Sequence, residues 1–314
     1  MYEQNGAITM MSGLRTALRT GWSRRVDMST SPLLHLHELM AFDRRQAETA
    51  ILQRVTSTYL GDHTALVRVL GRYKLYVDTR DRGFGSHILL DGFWEIWLTL
   101  FCARNVKPGM TVVDVGANFG YYSVLLAELV GEEGQLIAVE PNPHAADFLN
   151  RSVDLNGLSR RTKIETAALG NVNDEWAPLY IPRSEPKNAL IVSDRFVPNA
   201  ESGAVVQVPV TTLDRLCAAS ARIDFIKIDA EGAEEAIFEG MSETIARHKP
   251  IIVVEFNAGR YVDAGGFLDQ LTAVYGSLRR LDFSGEAVLV TREQLLTEYG
   301  GDDSLLVLSR DKPT

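Results

Sequence analysis

From residue 111 onward the chain alternates short apolar runs with longer segments of helical period. Residues 111–115, 135–139, 224–228 and 251–256 are short, mainly apolar runs rich in Val and Ile, and 163–169, with Ile164, Ala167, Ala168 and Leu169 alongside Lys163, Glu165 and Thr166, is read as a further run. Between them, 121–129, 143–156, 233–239 and 265–275 repeat their apolar positions with a period near 3.6. Strands apolar on both faces are strands buried on both faces, so this rhythm predicts a parallel sheet covered by helices on each side, a doubly wound α/β architecture. Residues 171–204 break the rhythm. Runs at 178–181 and 190–192 predict a strand-bearing insertion there, followed by a strand at 205–210. The run 304–308 predicts a terminal antiparallel strand at the end of the sheet.

Upstream the pattern differs. Apolar positions between 32 and 59 recur at helical spacing and predict a helix or helix pair. The runs 65–69 and 74–77, separated by Gly71-Arg72, predict a hairpin. Residues 91–104 read as one amphipathic helix with Phe93, Ile96, Trp97, Leu100 and Phe101 inward. The first thirty residues are polar and are expected to be poorly ordered. The organisation this implies is an extension over 1–84, helical and then a hairpin, ahead of a ligand-binding domain over 85–314 with its insertion at 171–204.

Composition narrows the function classes. The 314 residues are 46% hydrophobic, enough for a large core, and carry 41 acidic against 32 basic side chains, a net charge of -9. That balance disfavours nucleic acid, whose phosphates call for Lys and Arg, and suits a cofactor bearing positive charge. Cys102 and Cys217 lie in apolar surroundings and read as buried thiols, consistent with a reducing, cytoplasmic compartment. No apolar run approaches the roughly 18 residues that span a bilayer. Arg15, Arg19, Arg24 and Arg25 are followed by no apolar stretch, so no secretory leader is expected.

The strongest chemical signal is Val112-Val113-Asp114-Val115-Gly116-Ala117-Asn118-Phe119-Gly120. A buried strand enters a glycine turn and a helix starts at once. Gly116 and Gly120 are expected to let backbone pass close to a ligand, and the next helix turns its free N–H groups to the same cleft. About twenty residues later Glu140-Pro141-Asn142 closes the second strand, where an acid can accept both hydroxyls of an adenine nucleoside. A dinucleotide wants a second glycine where Asn118 stands, and Asp114 places negative charge near its diphosphate. A sulfonium with a cationic amine tolerates that acid, so the spacing favours S-adenosylmethionine over a nicotinamide cofactor.

The turn resembles the first motif of class I methyltransferases, and Glu140-Pro141-Asn142 is similar to their ribose-binding acid segment. A second block, Phe225-Ile226-Lys227-Ile228-Asp229-Ala230-Glu231-Gly232-Ala233-Glu234, narrows the likeness. With Thr212-Leu213-Asp214 before it and Val254-Glu255-Phe256 after it, it resembles the FkbM methyltransferase family over roughly residues 85 to 257. The resemblance implies a Rossmann-like fold with a mostly parallel seven-stranded sheet ordered 3-2-1-4-5-7-6. It also implies S-adenosylmethionine as cofactor and O-methylation of sugar, polyketide or other small-molecule and glycan hydroxyls without a required metal. Asp91-Gly92-Phe93-Trp94-Glu95 is similar to a Gly-aromatic-Glu segment of that family, which brings Glu95 to the methionine end of the cofactor.

Side-chain alternation puts Phe225, Lys227 and Asp229 on one face of their strand. A buried Lys227 needs an acidic partner, and Glu255 is the expected one. Asp229 and Glu231 lie at the strand's carboxyl end, facing the crevice of Gly116. Either can serve as the base that takes a hydroxyl proton, or both cap the next helix and hold the cofactor's amine. The expected cofactor set is therefore Glu95, Asp114, Gly116, Ala117, Asn118, Gly120, Glu140, Asn142, Ala167 and Ala168, the two alanines leaving room for adenine. The six histidines form no metal-like spacing, and His87 is a remote alternative base. Trp176, Tyr180 and Phe196 of the insertion are expected either to grip an acceptor or to pack the loop. The extension is expected either to cover the acceptor side or to build a homodimer. RNA methylation, nicotinamide-dependent oxidoreduction and cofactor binding without transfer are the competing functions.

Overall fold

The computed structural model describes residues 32–192 and 202–313. The polar first thirty residues and Phe196 lie outside that range. The chain divides into Met1–Leu33 and Leu34–Thr314, and all the described helices and strands belong to the second unit.

Helices α1 (Leu36–Ala41) and α2 (Arg44–Leu52) come first, α2 capped by Asp43, whose carboxylate accepts the Gln46 amide at 2.8 Å. Strands β1 (Ser57–Gly61), β2 (Thr64–Val69) and β3 (Tyr73–Asp78) form a three-stranded antiparallel sheet. The β2–β3 hairpin is where the apolar runs place it. The almost wholly exposed β1 escapes them because Ser57-Thr58-Tyr59-Leu60 has no alternation to read. An unforeseen α3 (Phe84–Asp91) comes next, and the helix expected over 91–104 starts later, as α4 (Ile96–Asn105). Gly92 ends the first in the left-handed region at φ 72°, and Glu95, at φ 37°, turns the chain into the second.

The remainder is β4 (Thr111–Val115), α5 (Tyr121–Leu129), β5 (Gln135–Val139), α6 (Pro143–Leu155), β6 (Thr162–Glu165), β7 (Ala168–Leu169), β8 (Glu175–Pro182), β9 (Leu190–Ile191) and β10 (Gly203–Thr211). After these come α7 (Leu213–Cys217), β11 (Phe225–Ile228), α8 (Glu234–Glu239), α9 (Ser242–His248), β12 (Ile251–Phe256), α10 (Ala264–Tyr275), β13 (Arg279–Leu281), β14 (Ala287–Leu289), α11 (Arg292–Leu296) and β15 (Ser304–Leu308). The main sheet runs β14-β13-β15-β12-β11-β4-β5-β6. Numbering β4, β5, β6, β11, β12, β13 and β15 as strands one to seven reproduces the order 3-2-1-4-5-7-6. The sheet has an eighth strand because β14 folds back on β13. β15 is antiparallel and lies between β12 and β13, not at the sheet's end.

Alternation along the strands divides the core. Val112, Leu136, Ala138, Phe225 and Val253 join the cluster on one face, whereas Val113, Ile137, Ile226, Ile228 and Val254 join that on the other. The first cluster continues without a break into Val67, Val69, Leu75 and Val77 of the small sheet. Polar contacts fasten β3 to α6: the Tyr76 amide donates to Ser152 Oγ at 3.0 Å, the Lys74 amide to Asn156 Oδ1 at 3.0 Å, and His144 Nε2 lies 2.8 Å from Asp78 Oδ2. The run 163–169 is two strands. β6 extends the main sheet, and β7 leaves it to pair with β10 in a four-stranded sheet built by the insertion, ordered β7-β10-β8-β9.

Candidate active site

The parallel register of β5, β4, β11 and β12 brings four carboxyl ends to one edge, where a cleft opens. Gly116, Ala117 and Asn118 form part of its wall. Gly116 has φ 71°, and a Cβ there would stand 1.8 Å from the carbonyl oxygen of Asp229. The close approach of β4 to the chain leaving β11 therefore demands glycine at this point of the cleft wall. Gly120, at φ 97°, is off the cleft wall, and its added Cβ would meet Leu149 Cδ1 at 2.7 Å, so it serves the packing of α5 on α6. Asn118 takes a left-handed φ of 50° and directs its amide to Glu140 Oε2 at 2.7 Å.

Glu140 follows β5 and is almost buried, with Oε1 accepting the Asn142 amide at 2.8 Å. Burial pushes its carboxyl up to about 7 against the pull of those two N–H donors. Each oxygen keeps acceptor capacity for a further donor. Asn142 itself is not on the cleft wall: its side chain accepts the His144 amide at 3.0 Å and caps α6. Ala167 and Ala168 line the cleft beyond β6, small residues as expected of them.

Behind this wall lies a buried ion network. Lys227 and Asp114 are directly paired residues of neighbouring strands, so their side chains leave the sheet on the same face. Lys227 Nζ lies 3.5 Å from Asp114 and 3.4 Å from Asp229, donates to the Gly116 carbonyl at 3.3 Å, and sits 5.2 Å from the centre of the Tyr122 ring. Burial pulls the ammonium down, but Asp229 and Asp114 outweigh it and hold it above the usual lysine value. Asp114 is wholly buried and accepts the Ser123 hydroxyl at 2.6 Å. It stands behind the cleft, not on its wall. Nor is Glu255 the partner of Lys227. Val253 occupies the β12 position beside Lys227, and Glu255 pairs with Arg260.

The cleft is acidic as well. Asp229, Glu231, Glu255 and Glu95 all line it. Glu231 is held in left-handed backbone, φ 52°, by the turn into α8. The buried Glu234 clamps that turn, accepting the amides of Ala230 at 3.0 Å and Gly232 at 3.2 Å, and the Tyr261 hydroxyl at 3.0 Å. Burial, reinforced by Asp229 and opposed by Arg260, raises the Glu231 carboxyl to about 7. Burial and Asp229 raise Glu255 to about 8. Glu95, with the Tyr122 hydroxyl 3.4 Å from its carboxylate, is raised to about 7 by burial and Asp229.

Phe84, Trp94 and Tyr122 supply aromatic surface, and Lys187 of the insertion reaches the cleft with Nζ 5.6 Å from the Trp94 ring. Phe84, Tyr122, Lys187, Glu234 and Arg260 were not legible as site residues. Phe84, Lys187 and Arg260 come from segments outside the motifs, Tyr122 lies two residues past Gly120, and Glu234 closes the 225–234 block without any sequence sign that it clamps the turn there. Among the described residues the cleft lining begins at Phe84, so none of 34–83 covers it. Trp176 is exposed and away from the cleft, and Tyr180 is buried with its hydroxyl 2.6 Å from Ser202 Oγ. His87 also lies off the wall, 3.2 Å from Asp91. Among the described residues, no three His, Cys, Asp or Glu side chains group to hold a metal ion, and no helix is long and apolar enough to cross a membrane.

Residues 114–284, more than half of the chain, match the family model of the methyltransferase FkbM domain. A protein-L-isoaspartate O-methyltransferase of Aeropyrum pernix is 45% identical over 111 residues, 34% of this chain and 41% of that protein. A probable cobalt-precorrin-6B C(15)-methyltransferase of Sulfolobus acidocaldarius is 25% identical over 169 residues, 51% of this chain and 86% of that protein. The chain spans less than half the length of the isoaspartate methyltransferases it matches, 26% for that of Methanopyrus kandleri and 49% for one of Arabidopsis thaliana. A crystal structure of methyltransferase FkbM from Methylobacillus flagellatus KT aligns with a TM-score of 0.40 at 16% identity, covering 84% of this chain and 58% of that one.

Proposed function

Because this chain belongs to the FkbM methyltransferase family, whose methyl donor is S-adenosylmethionine, we propose that it methylates a hydroxyl of a small-molecule or glycan acceptor, with Glu231 as the base. The observation that carries this reading is the placement of Glu231 on the lining of the cleft that also holds Glu140, at the carboxyl end of β11, with the Arg260 guanidinium 3.4 Å from its carboxylate and burial raising its carboxyl to about 7. A hydroxyl must lose its proton as its oxygen takes the methyl, and a base poised near the working pH does this best. A carboxylate acceptor, as in an isoaspartyl residue, has no such proton to lose.

The donor set fits the cofactor. The cleft offers carboxylates and aromatic faces, which suit a sulfonium, an ammonium and a sugar diol. Lys227 on the cleft lining and Arg260 beside Glu231 are tied to carboxylates, which leaves a dinucleotide's diphosphate facing Asp229 and Glu231. S-adenosylmethionine, when bound, supplies an electrophilic methyl group on a positively charged sulfur. Glu140 accepts the ribose hydroxyls, while Ala117, Asn118, Ala167 and Ala168 shape the nucleoside end. Glu95 and Asp229 take the ammonium, and Glu231 receives the acceptor proton. Asp114 acts indirectly, by fixing Lys227 behind the turn. Most of the rate then comes from orientation. The extension over 34–84 supports α6 through β3.

The expected product is an ether. With S-adenosylmethionine labelled in its methyl group and a panel of saccharide and polyol acceptors, the transferred label should resist mild alkali. Release as volatile methanol would mean a carboxyl ester and overturn the hydroxyl reading. Glu231→Gln should lower turnover by about 10²- to 10⁴-fold while changing S-adenosylhomocysteine affinity little. A variant with wild-type turnover removes Glu231 from the chemistry.

A further inference from the structure

Arg260 lies outside both motif blocks, in the segment that follows β12. Its guanidinium reaches three carboxylates from three places in the fold: Glu231 at 3.4 Å from the turn before α8, Glu255 from β12 itself, and Asp303 at 3.1 Å from just before β15. The group is only partly exposed, so these pairs are shielded more than surface ones. The surroundings of Glu231 explain why this matters. Asp229 and Glu234 face it with negative charge, while Arg260 and, from the insertion, Lys187 face it with positive charge. Among the described residues Arg260 is the cation within ion-pair distance of Glu231, whereas Lys187 lies against the Trp94 ring.

We propose that Arg260 is the positioning residue of the reaction, a fork that holds Glu231 toward the cleft and keeps it ionised amid Asp229, Glu234 and Glu255. The inference rests on the reading of Glu231 as base and deepens it. The planar guanidinium spans carboxylates in several directions at once, which a lysine ammonium on a flexible stem does less well. Glu231 sits in left-handed backbone at φ 52°, and Arg260 is the ion-pair partner of its carboxylate. Without Arg260, Glu231 and Glu255 would lose the cation they share, while Lys227 stays engaged with Asp114 and Asp229. Glu231 would then hold its proton at neutral pH and could not accept one from a hydroxyl.

The test follows the carboxylate itself. In full-length protein labelled with ¹³C at glutamate carboxyls and assigned with Glu231→Gln, the Glu231 resonance should titrate near neutrality. In Arg260→Gln its midpoint should rise by about one pH unit or more, and Arg260→Lys should restore part of the difference. S-adenosylhomocysteine binding and thermal melting are followed in parallel, so the outcomes separate. An unchanged Glu231 midpoint in a folded, ligand-binding Arg260→Gln protein overturns the inference and leaves the methyltransferase reading intact. Absence of S-adenosylhomocysteine binding in the wild type strikes at that reading instead. Should Arg260→Gln fail to fold, Arg260→Lys carries the test: a Glu231 midpoint above wild type supports the fork, and one equal to wild type overturns it.

Discussion

Gly116→Ala should lose about 2–5 kcal/mol of stability, through left-handed strain of about 1–2 kcal/mol and the displacement of packed backbone. The added methyl group would stand 1.8 Å from the Asp229 carbonyl oxygen, and that oxygen belongs to main chain with no rotamer to escape into. β4 and β11 must separate at their carboxyl ends, which moves Asn118, Asp229 and the Gly116 carbonyl that accepts from Lys227. The midpoint of thermal unfolding should fall by about 5–15 °C, and S-adenosylhomocysteine binding should weaken with it. Gly120→Ala, which meets the flexible Leu149 side chain, should retain more of both. A Gly116→Ala protein with wild-type melting would contradict the crossing geometry.

Lys227→Met should destabilise the fold by about 3–5 kcal/mol, because it strands Asp114 in a fully buried position. Ser123 would remain as the hydrogen-bond donor to that carboxylate. Lys227→Met with Asp114→Asn should recover much of the loss, since no charge is then left buried without a partner. Chemical denaturation of both variants checks this, and equal losses in the two would contradict it. The pH dependence carries a definite sign. Burial already raises the Asp114 carboxyl, with Lys227 opposing that rise. Removing Lys227 raises it further above its unfolded value, so the single variant's deficit should shrink as pH falls and Asp114 takes up a proton.

These two sites also mark what a single sequence can and cannot tell. The 116–120 turn and Glu140 were legible because a strand, its turn and the acid closing the next strand are local features. Even there, the neighbours that demand the two glycines, Asp229 and Leu149, come from other elements. The partner of Lys227 was misread because it depends on register: Asp114 stands beside it in β4, while Glu255 lies two residues past its β12 neighbour. The 163–169 run looked like one strand because its apolar positions do not reveal that Ala168 and Leu169 pair with β10 instead. Lys187 and Arg260 carried no periodic or motif signal. Only the packing of the insertion brings Lys187 to the cleft, and only that of the segment after β12 brings Arg260 to Glu231.

The acidic wall of Asp229, Glu231, Glu255 and Glu95 repels the phosphates of RNA and of a nicotinamide dinucleotide alike.

Calorimetric titration of S-adenosylhomocysteine into wild-type protein and Glu140→Ala, each confirmed folded by its melting curve, tests the cradle of Gly116 and Glu140 most directly. Binding to the wild type should strengthen from pH 6 to pH 8, because ribose hydroxyls donate best to an ionised Glu140 and its carboxyl titrates at about 7. Losing two hydrogen bonds to a charged acceptor should weaken Glu140→Ala by about 100-fold or more at pH 8. A folded wild-type protein that takes up no S-adenosylhomocysteine, or a Glu140→Ala protein that binds it equally well, would contradict the account.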